Sequence, residues 1–321
     1  MDVPSPMAQA DPAFRDDVLA GLAAPIPAIP ARWFYDLRGS ELFEQITQLP
    51  EYYPTRTETA LLEAHCRDVA AITGIGDAVI EFGSGSSTKT PILLEAVKPS
   101  AYVPIDISGE FLRASAAALQ TRFPDLPIHP VEADFMRPIA LPEAVRDKSK
   151  LGFFPGSTIG NMVPRTAVDL LRAMRDTLGA GAWLLIGMDR IKDPEMLVAA
   201  YDDAQGVTAA FNLNLLRRIN AELGGDIDLD AWRHMARWND AKARIEMHLE
   251  AARDTSFTVA GHSFSFRAGE TIHTENSHKY GERDARLLLL AAGWGVERQW
   301  TDTEDCFAIL LAKAEAERFA P

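Results

Sequence analysis

The sequence predicts an α/β fold: an open, doubly wound, mostly parallel sheet finished by a terminal antiparallel hairpin, with a second α+β domain beside it. Three observations carry this. From Val79 to Asp189, short apolar runs alternate with stretches of helical spacing, as in a parallel sheet whose crossovers are helices. Near the C-terminus, Gly295–Trp300 and Cys306–Ala312 read as two strands around an acidic turn, TDTED, which suits an antiparallel hairpin. Between these regions lie about 90 residues where one helix would complete the sheet, so the stretch reads as an insertion. The sheet domain is placed at residues 56–190 with 280–321. The second domain takes the N-terminal segment and the insertion, residues 11–55 with 191–279, and is expected to cover the first.

Composition narrows the function. The 321 residues are 47% hydrophobic and 24% charged, values of a folded globular chain. A formal net charge of −14, with no Lys/Arg cluster, argues against a nucleic-acid partner and for small-molecule chemistry. Cys66 and Cys306 form no C-x-x-C pair and read as buried thiols in a reducing compartment. The seven histidines are scattered without an H-x-x-x-H pair, so no metal site is expected. No signal peptide or membrane-spanning run is evident, and the expectation is a cytoplasmic monomer with no membrane partner.

Taken in order, Phe14–Leu22 is a short helix, and Pro25, Pro27 and Pro30 then enforce an extended passage. Arg32–Glu58 is dense in aromatic residues, with helical spacing only from Ser40 to Gln48. It is either a lid packed on a core or the aromatic wall of a substrate pocket, since tyrosine joins an apolar body to a polar tip. Thr57–Ile72 is a helix by the spacing of Leu61, Leu62, Val69 and Ala70.

The organising stretch follows, VIEFGSGSSTKT over Val79–Thr90. A buried strand end leads through Glu81 into a turn where Gly83 and Gly85 allow close backbone approach, and a helix starts at Pro91. A dinucleotide fingerprint would need a third glycine where Thr88 stands. The E-x-G-x-G pattern instead resembles the first loop of class I S-adenosylmethionine-dependent methyltransferases, where one acid and several backbone donors suit the ammonium and carboxylate of a methionine moiety. Strand Ala101–Asp106 ends in an acid about 20 residues past the glycines, the place of a ribose-binding carboxylate, although Asp106 could equally cap a helix over Ser108–Gln120. Strand Ile128–Ala133 leads to Asp134 and Phe135, an acid and a ring suited to an adenine base. A fourth strand, Lys150–Pro155, opens into a glycine-flanked turn ending at Asn161, either a ligand for an amino acid or a helix cap. Val163–Leu178 is a helix and Ala182–Asp189 the fifth strand.

Within the insertion, Pro194–Ala204 and Val207–Leu223 read as helices, Gly224–Asp228 as an acidic break, and Ala243–Ala251 and Ser256–Arg267 as strand-like segments. His273–Ser277 reads as a polar loop, and Ala285–Ala292 as the helix before the closing hairpin.

Four separated motifs, YDLRGSELFEQITQLPEYYPTRTE, EFGSGSSTKT, FFPGSTIGN and IHTENSHKY, resemble the histidine-specific, S-adenosylmethionine-dependent methyltransferases of ergothioneine biosynthesis. The resemblance spans nearly the whole chain; Phe82 stands where the family often has Leu. It implies a Rossmann-like class I methyltransferase fold, S-adenosyl-L-methionine as cofactor, and transfer of three methyl groups to the α-amine of L-histidine to give hercynine. It also implies that Gly83, Lys89, Asp106, Asp134 and Phe135 hold the cofactor, and that Tyr52, Asn161 and Tyr201 bind the substrate. Glu275 and Ser277 would read the imidazole, Met247 would line the pocket, and Tyr35 would approach the amine. Without the resemblance, Tyr201 would read as a helix residue packing on the lid. No residue stands out as a general base; Tyr52 and Asn161 would orient the substrate. The alternatives are an N-methyltransferase of another amino acid, such as an indole derivative, a non-catalytic cofactor-binding partner, and, disfavoured by Thr88 and the hairpin, a nicotinamide dehydrogenase.

Overall fold

The computed structural model describes residues 11–74, 78–85 and 88–315; Ser86 and Ser87 of the glycine loop lie outside them. In chain order, helices α1 (Pro12–Leu22), α2 (Leu37–Ile46) and α3 (Tyr53–Thr73) precede β1 (Ala78–Phe82). Then come α4 (Thr90–Val97), β2 (Tyr102–Asp106), α5 (Gly109–Arg122), β3 (Val131–Glu132), β4 (Lys150–Phe154), α6 (Pro164–Leu178) and β5 (Trp183–Asp189). The remainder is α7 (Pro194–Ala199), α8 (Val207–Leu223), β6 (Trp232–Asn239), β7 (Arg244–Ala251), β8 (Thr255–Val259), β9 (His262–Phe266), β10 (Thr271–His278), α9 (Glu282–Ala291), β11 (Trp294–Thr301) and β12 (Phe307–Ala314). Two compact units result: Tyr53–Lys192 with His278–Pro321, and Met1–Tyr52 with Asp193–Ser277.

The first unit holds a seven-stranded sheet in the order β11-β12-β5-β4-β1-β2-β3. Pairing is parallel from β3 through β5 and antiparallel from β5 to β12 and β11. This is the predicted α/β sheet with its closing hairpin. The connections change direction between β1 and β4, so the carboxyl ends of these two strands flank the crevice where such sheets take ligands. Alternation along β1 sends Ala78, Ile80 and Phe82 to one core, with α6 and α9, and Val79 to the other, with α3 and α4. Cys66 belongs to the second core, and Cys306 is buried before β12.

The second unit is built on a three-stranded sheet, β10-β7-β6, in which every residue of the central β7 is buried. Helix α8 packs on β6 and β7 and on α2. Its buried stripe includes two asparagines, Asn212 and Asn214, beside Phe211, Leu215 and Leu216.

Several elements depart from expectation. The third strand shrinks to Val131–Glu132, because Pro130 has no N–H to donate and only an isolated bridge joins Ile128 to Tyr102. The helix from Pro194 stops at Ala199, since the Asp203 carboxylate accepts from the N–H groups of Val207 (3.0 Å) and Thr208 (2.7 Å) and starts the next helix instead. Tyr201 therefore sits in a turn, not in a helix. Ser256–Arg267 is a hairpin turning at Ala260-Gly261, both at positive φ (48° and 81°), as a two-residue hairpin loop requires. The segment expected to be a polar loop is strand β10. Its buried positions include Thr274 and Ser277, so hydropathy does not mark it.

The terminal hairpin is anchored by Trp294, fully buried, whose indole N–H donates to the Leu171 carbonyl at 2.9 Å. Trp294→Phe loses that bond and leaves a void beside the smaller ring, and should lower unfolding free energy by about 1–3 kcal/mol in urea titrations.

Candidate active site

The glycine loop is built from the ends of β1 and β2. The N–H groups of Gly83 and Ser84 both donate to the Ile105 carbonyl, at 2.8 and 3.1 Å. Asp106 is the strand-end acid: one oxygen accepts from Gly85 N–H (3.1 Å) and the other from Ser108 N–H (2.9 Å). The N-cap position of α5 belongs to Ser108, so Asp106 braces the loop and does not cap that helix. Gly83 has φ +71°, and a Cβ there would meet the Phe135 ring at 3.5 Å. Phe135 stands edge-on to Phe82 and Phe154, and Asp134 beside it is exposed, accepting from Met136 N–H at 3.0 Å. Gly83, Gly85, Asp106 and Phe135 thus share one cradle, which any side chain at Gly83 would begin to fill. That fits a cofactor approaching the backbone closely.

Lys89 has a different surrounding from the one expected. Its amine bonds Glu58, a fully buried carboxylate of α3 that also accepts from Gly156 N–H at 3.0 and 2.8 Å. One acid therefore ties the loop after β1 to the loop after β4. Sequence reading missed Glu58, which lies in a polar run; the one trace was Gly187, whose missing Cβ leaves room for it, since a Cβ would lie 1.9 Å from a Glu58 oxygen.

After β4, Gly156 and Ser157 take positive φ (82° and 54°), and Thr158–Asn161 forms one 3₁₀ turn. Gly160 passes so close to the backbone of His278 that a Cβ would stand 2.8 Å from its carbonyl oxygen. Asn161 ends the turn half-buried, and α6 is capped at Val163, so the amide is not the cap of that helix. Ser157 Oγ accepts from Asp189 N–H at 2.9 Å.

Asp189 itself is fully buried. Its oxygens accept from the Tyr53 hydroxyl (2.7 and 2.8 Å), from the amines of Lys192 and Lys279 (each 2.6 Å) and from Arg190 N–H (3.0 Å). Burial pushes the carboxyl pKa up, yet the two ammonium groups outweigh it and hold the group below its ordinary value. Nothing in the sequence pattern singled out these four side chains.

In the second unit, three of the expected substrate residues, Tyr35, Tyr52 and Tyr201, belong to one aromatic cluster. Tyr52 and Tyr201, both nearly buried, meet edge-to-face at 6.0 Å, and Phe43 links Tyr52 to Tyr35 and Phe211. The hydroxyls of Tyr201 and Ser277 lie 2.7 Å apart. Glu275 is two residues from Ser277 on β10 and so shares its face of the strand. Met247 is buried on the adjacent β7, its carbonyl accepting from Thr274 at 3.1 Å.

A sheet with this strand order, a glycine loop after β1 and an acid after β2 defines a class I, S-adenosylmethionine-dependent methyltransferase. Residues 14–314 match the model of the histidine-specific, S-adenosylmethionine-dependent methyltransferase family, and the chain belongs to that family. It is 42% identical over 307 residues to a histidine N-alpha-methyltransferase of Mycolicibacterium smegmatis, covering 94% of each chain. Ergothioneine biosynthesis protein 1 of Neurospora crassa is 31% identical over 89% of this chain, which spans 33% of that longer protein. A 4-dimethylallyltryptophan N-methyltransferase of Epichloe festucae var. lolii is 27% identical, covering 91% of this chain and 92% of its own.

Glu81, the acid of the loop motif, points away from the cradle. Strand alternation sends it into the α3/α4 core, 2% exposed, where its Oε2 accepts from Thr90 (2.8 Å) and from the Tyr102 hydroxyl. Burial pushes its pKa from 4.5 to about 7, against the pull of those two hydroxyls and Lys89. The folded chain therefore holds an extra proton between those values, and stability falls as pH rises through that window. Glu81→Gln should remove this loss, gaining roughly 3 kcal/mol relative to the parent at about pH 8 and little at about pH 4.5 in urea unfolding.

Proposed function

We propose that this chain transfers three methyl groups from S-adenosyl-L-methionine to the α-amine of L-histidine, giving hercynine in ergothioneine biosynthesis, as a cytoplasmic monomer. The observation that carries the reading is the match to the histidine-specific family over residues 14–314. S-adenosylmethionine, when bound, supplies an electrophilic methyl group.

The chain's own residues bind, orient and exclude water. In this reading Gly83, Asp106, Asp134 and Phe135 hold the cofactor: the open glycine backbone gives close approach, Asp106 takes the ribose, and the Asp134/Phe135 pair takes the adenine. Lys89 contributes through the loop it anchors to Glu58, an acid 1% exposed at its side chain. The second unit serves as the substrate domain. There Tyr52 and Tyr201 supply ring walls and hydroxyls for the amino acid. Asn161 belongs to the sheet unit, and its substrate role rests on an amide that can both donate and accept. Met247 lines the pocket. Glu275 accepts one imidazole N–H and the Ser277 hydroxyl serves the other ring nitrogen.

The amine reacts in its neutral form and its proton is released to solvent, so positioning the neutral amine in line with the methyl group is the main demand on the chain. Repeated transfer needs room for a growing ammonium head, and neutral hydroxyls with aromatic walls suit one.

Incubation of the protein with histidine and S-adenosylmethionine should yield mono-, di- and trimethylated histidine in sequence by mass spectrometry, the last accumulating. Methylation of tryptophan derivatives in preference to histidine would overturn the substrate assignment and leave the enzyme class standing. Glu275→Ala should cost about 2–4 kcal/mol in kcat/KM for histidine, because an imidazole N–H is left unpaired in a desolvated site. Calorimetry with S-adenosylhomocysteine should find cofactor affinity near that of the parent.

A further inference from the structure

Tyr201 lies in the turn after α7, a helix of six residues, so little regular structure supports its main chain. The support comes from a buried polar chain. His234 on β6, its side chain 2% exposed, places Nε2 2.8 Å from the Tyr201 carbonyl oxygen. Its other ring nitrogen, Nδ1, lies 2.8 Å from Asn212 Nδ2. Asn212, fully buried on α8, also donates from that nitrogen to the His248 carbonyl at 3.0 Å, while the Thr274 hydroxyl sits 2.8 Å from its Oδ1.

These contacts determine where the imidazole proton is. A backbone carbonyl only accepts, so the contact with His248 fixes which end of the Asn212 amide is the nitrogen. Its second N–H then points at His234 Nδ1, which must offer a lone pair, and the proton is on Nε2, directed at Tyr201. A charged imidazole would set two donors against each other at Nδ1.

Resting on the functional reading above, we propose that His234 is a positioning residue for the amino-acid site: neutral and protonated on Nε2, it holds the Tyr201 main chain so that the phenol hydroxyl meets Ser277. Asn212 selects that form. The surroundings agree. Burial pulls the His234 pKa below its ordinary value, opposed by the Tyr201 carbonyl and by Asp202 and Asp203. Asp202 is half exposed and 3.9 Å from Nε2, and both Asp203 oxygens are occupied by the N–H groups that open α8. From α8 the facing group is the neutral Asn212, and the residue opposite on β7 is Leu249.

Two variants separate the parts. In His234→Asn, the shorter amide can still accept from Asn212 but loses the donor to Tyr201; in His234→Gln, the longer amide reaches the Nε2 position, keeps the donor to Tyr201 and cannot titrate. With folding checked by circular dichroism, His234→Asn should raise KM for histidine by about tenfold or more with kcat changed much less, and His234→Gln should recover KM to within about threefold. Affinity for S-adenosylhomocysteine should be unchanged in both. A folded His234→Asn enzyme with KM within about twofold of the parent overturns the proposal. Should that variant not fold, nitrogen NMR of the parent imidazole decides: a proton on Nε2 alone at neutral pH supports the assignment, and a proton on Nδ1 overturns it. Failure of the parent to methylate histidine while accepting another amino acid sinks the substrate reading instead, and the imidazole spectrum still tests the link to Tyr201.

Discussion

The buried carboxylate of Asp189 is the constraint on which the sheet unit depends. Two ammonium groups share it, and burial pulls the Lys192 pKa below its ordinary value while Asp189 pulls it back. An ion cluster out of water is favourable only when the remaining hydrogen-bonding positions are filled, as the Tyr53 hydroxyl and Arg190 N–H do here. Its partners have a common location in the chain. Tyr53, Lys192 and Lys279 each lie within two residues of a point where the chain enters or leaves this unit: Tyr52/Tyr53, Lys192/Asp193 and Ser277/His278. One side chain therefore fixes all three chain ends. Two residues just across those points, Tyr52 and Ser277, are among those proposed to bind the substrate.

The two units support their sites with different chemistry. In the sheet unit the supports are ionised: Glu58 fixes Lys89 and the Gly156 backbone, and Asp189 takes two lysines. In the other unit the support of Tyr201 is a neutral chain of hydroxyl, amide and imidazole. The distinction suits the roles proposed for them. In that proposal a cofactor that carries its own charge meets a loop braced by ion pairs, whereas the tyrosine offered to a substrate that changes charge as it reacts is held by a neutral chain.

The sheet was legible because its longer parallel strands are mostly apolar and run into a glycine or an acid: β1 is apolar but for Glu81 and leads to Gly83, and β5 ends at Asp189. The closing hairpin carries its own turn signal. The glycine cradle was legible for the same reason. β3 was overestimated, since apolar residues around Pro130 suggest a strand that the missing N–H prevents. The second unit was hard to read because its buried positions are polar: Thr274, Ser277, Asn212 and His248 have little hydropathy and are buried by virtue of partners distant in sequence. Glu58 and Asp189 escaped for the same reason. A carboxylate looks identical in sequence whether water or a lysine satisfies it.

Both native thiols are inaccessible. Cys66 lies inside the α3 core with its pKa pushed up to about 12, and burial raises that of Cys306 as well. Thiolate, not thiol, reacts with alkylating probes, so neither side chain competes effectively for such a reagent. The unaltered chain is accordingly a quiet background for spectroscopy: a single cysteine introduced on the surface of each unit would take a fluorophore or spin label cleanly, and the distance between the units could be followed through a catalytic cycle without first stripping the protein of its own sulfur.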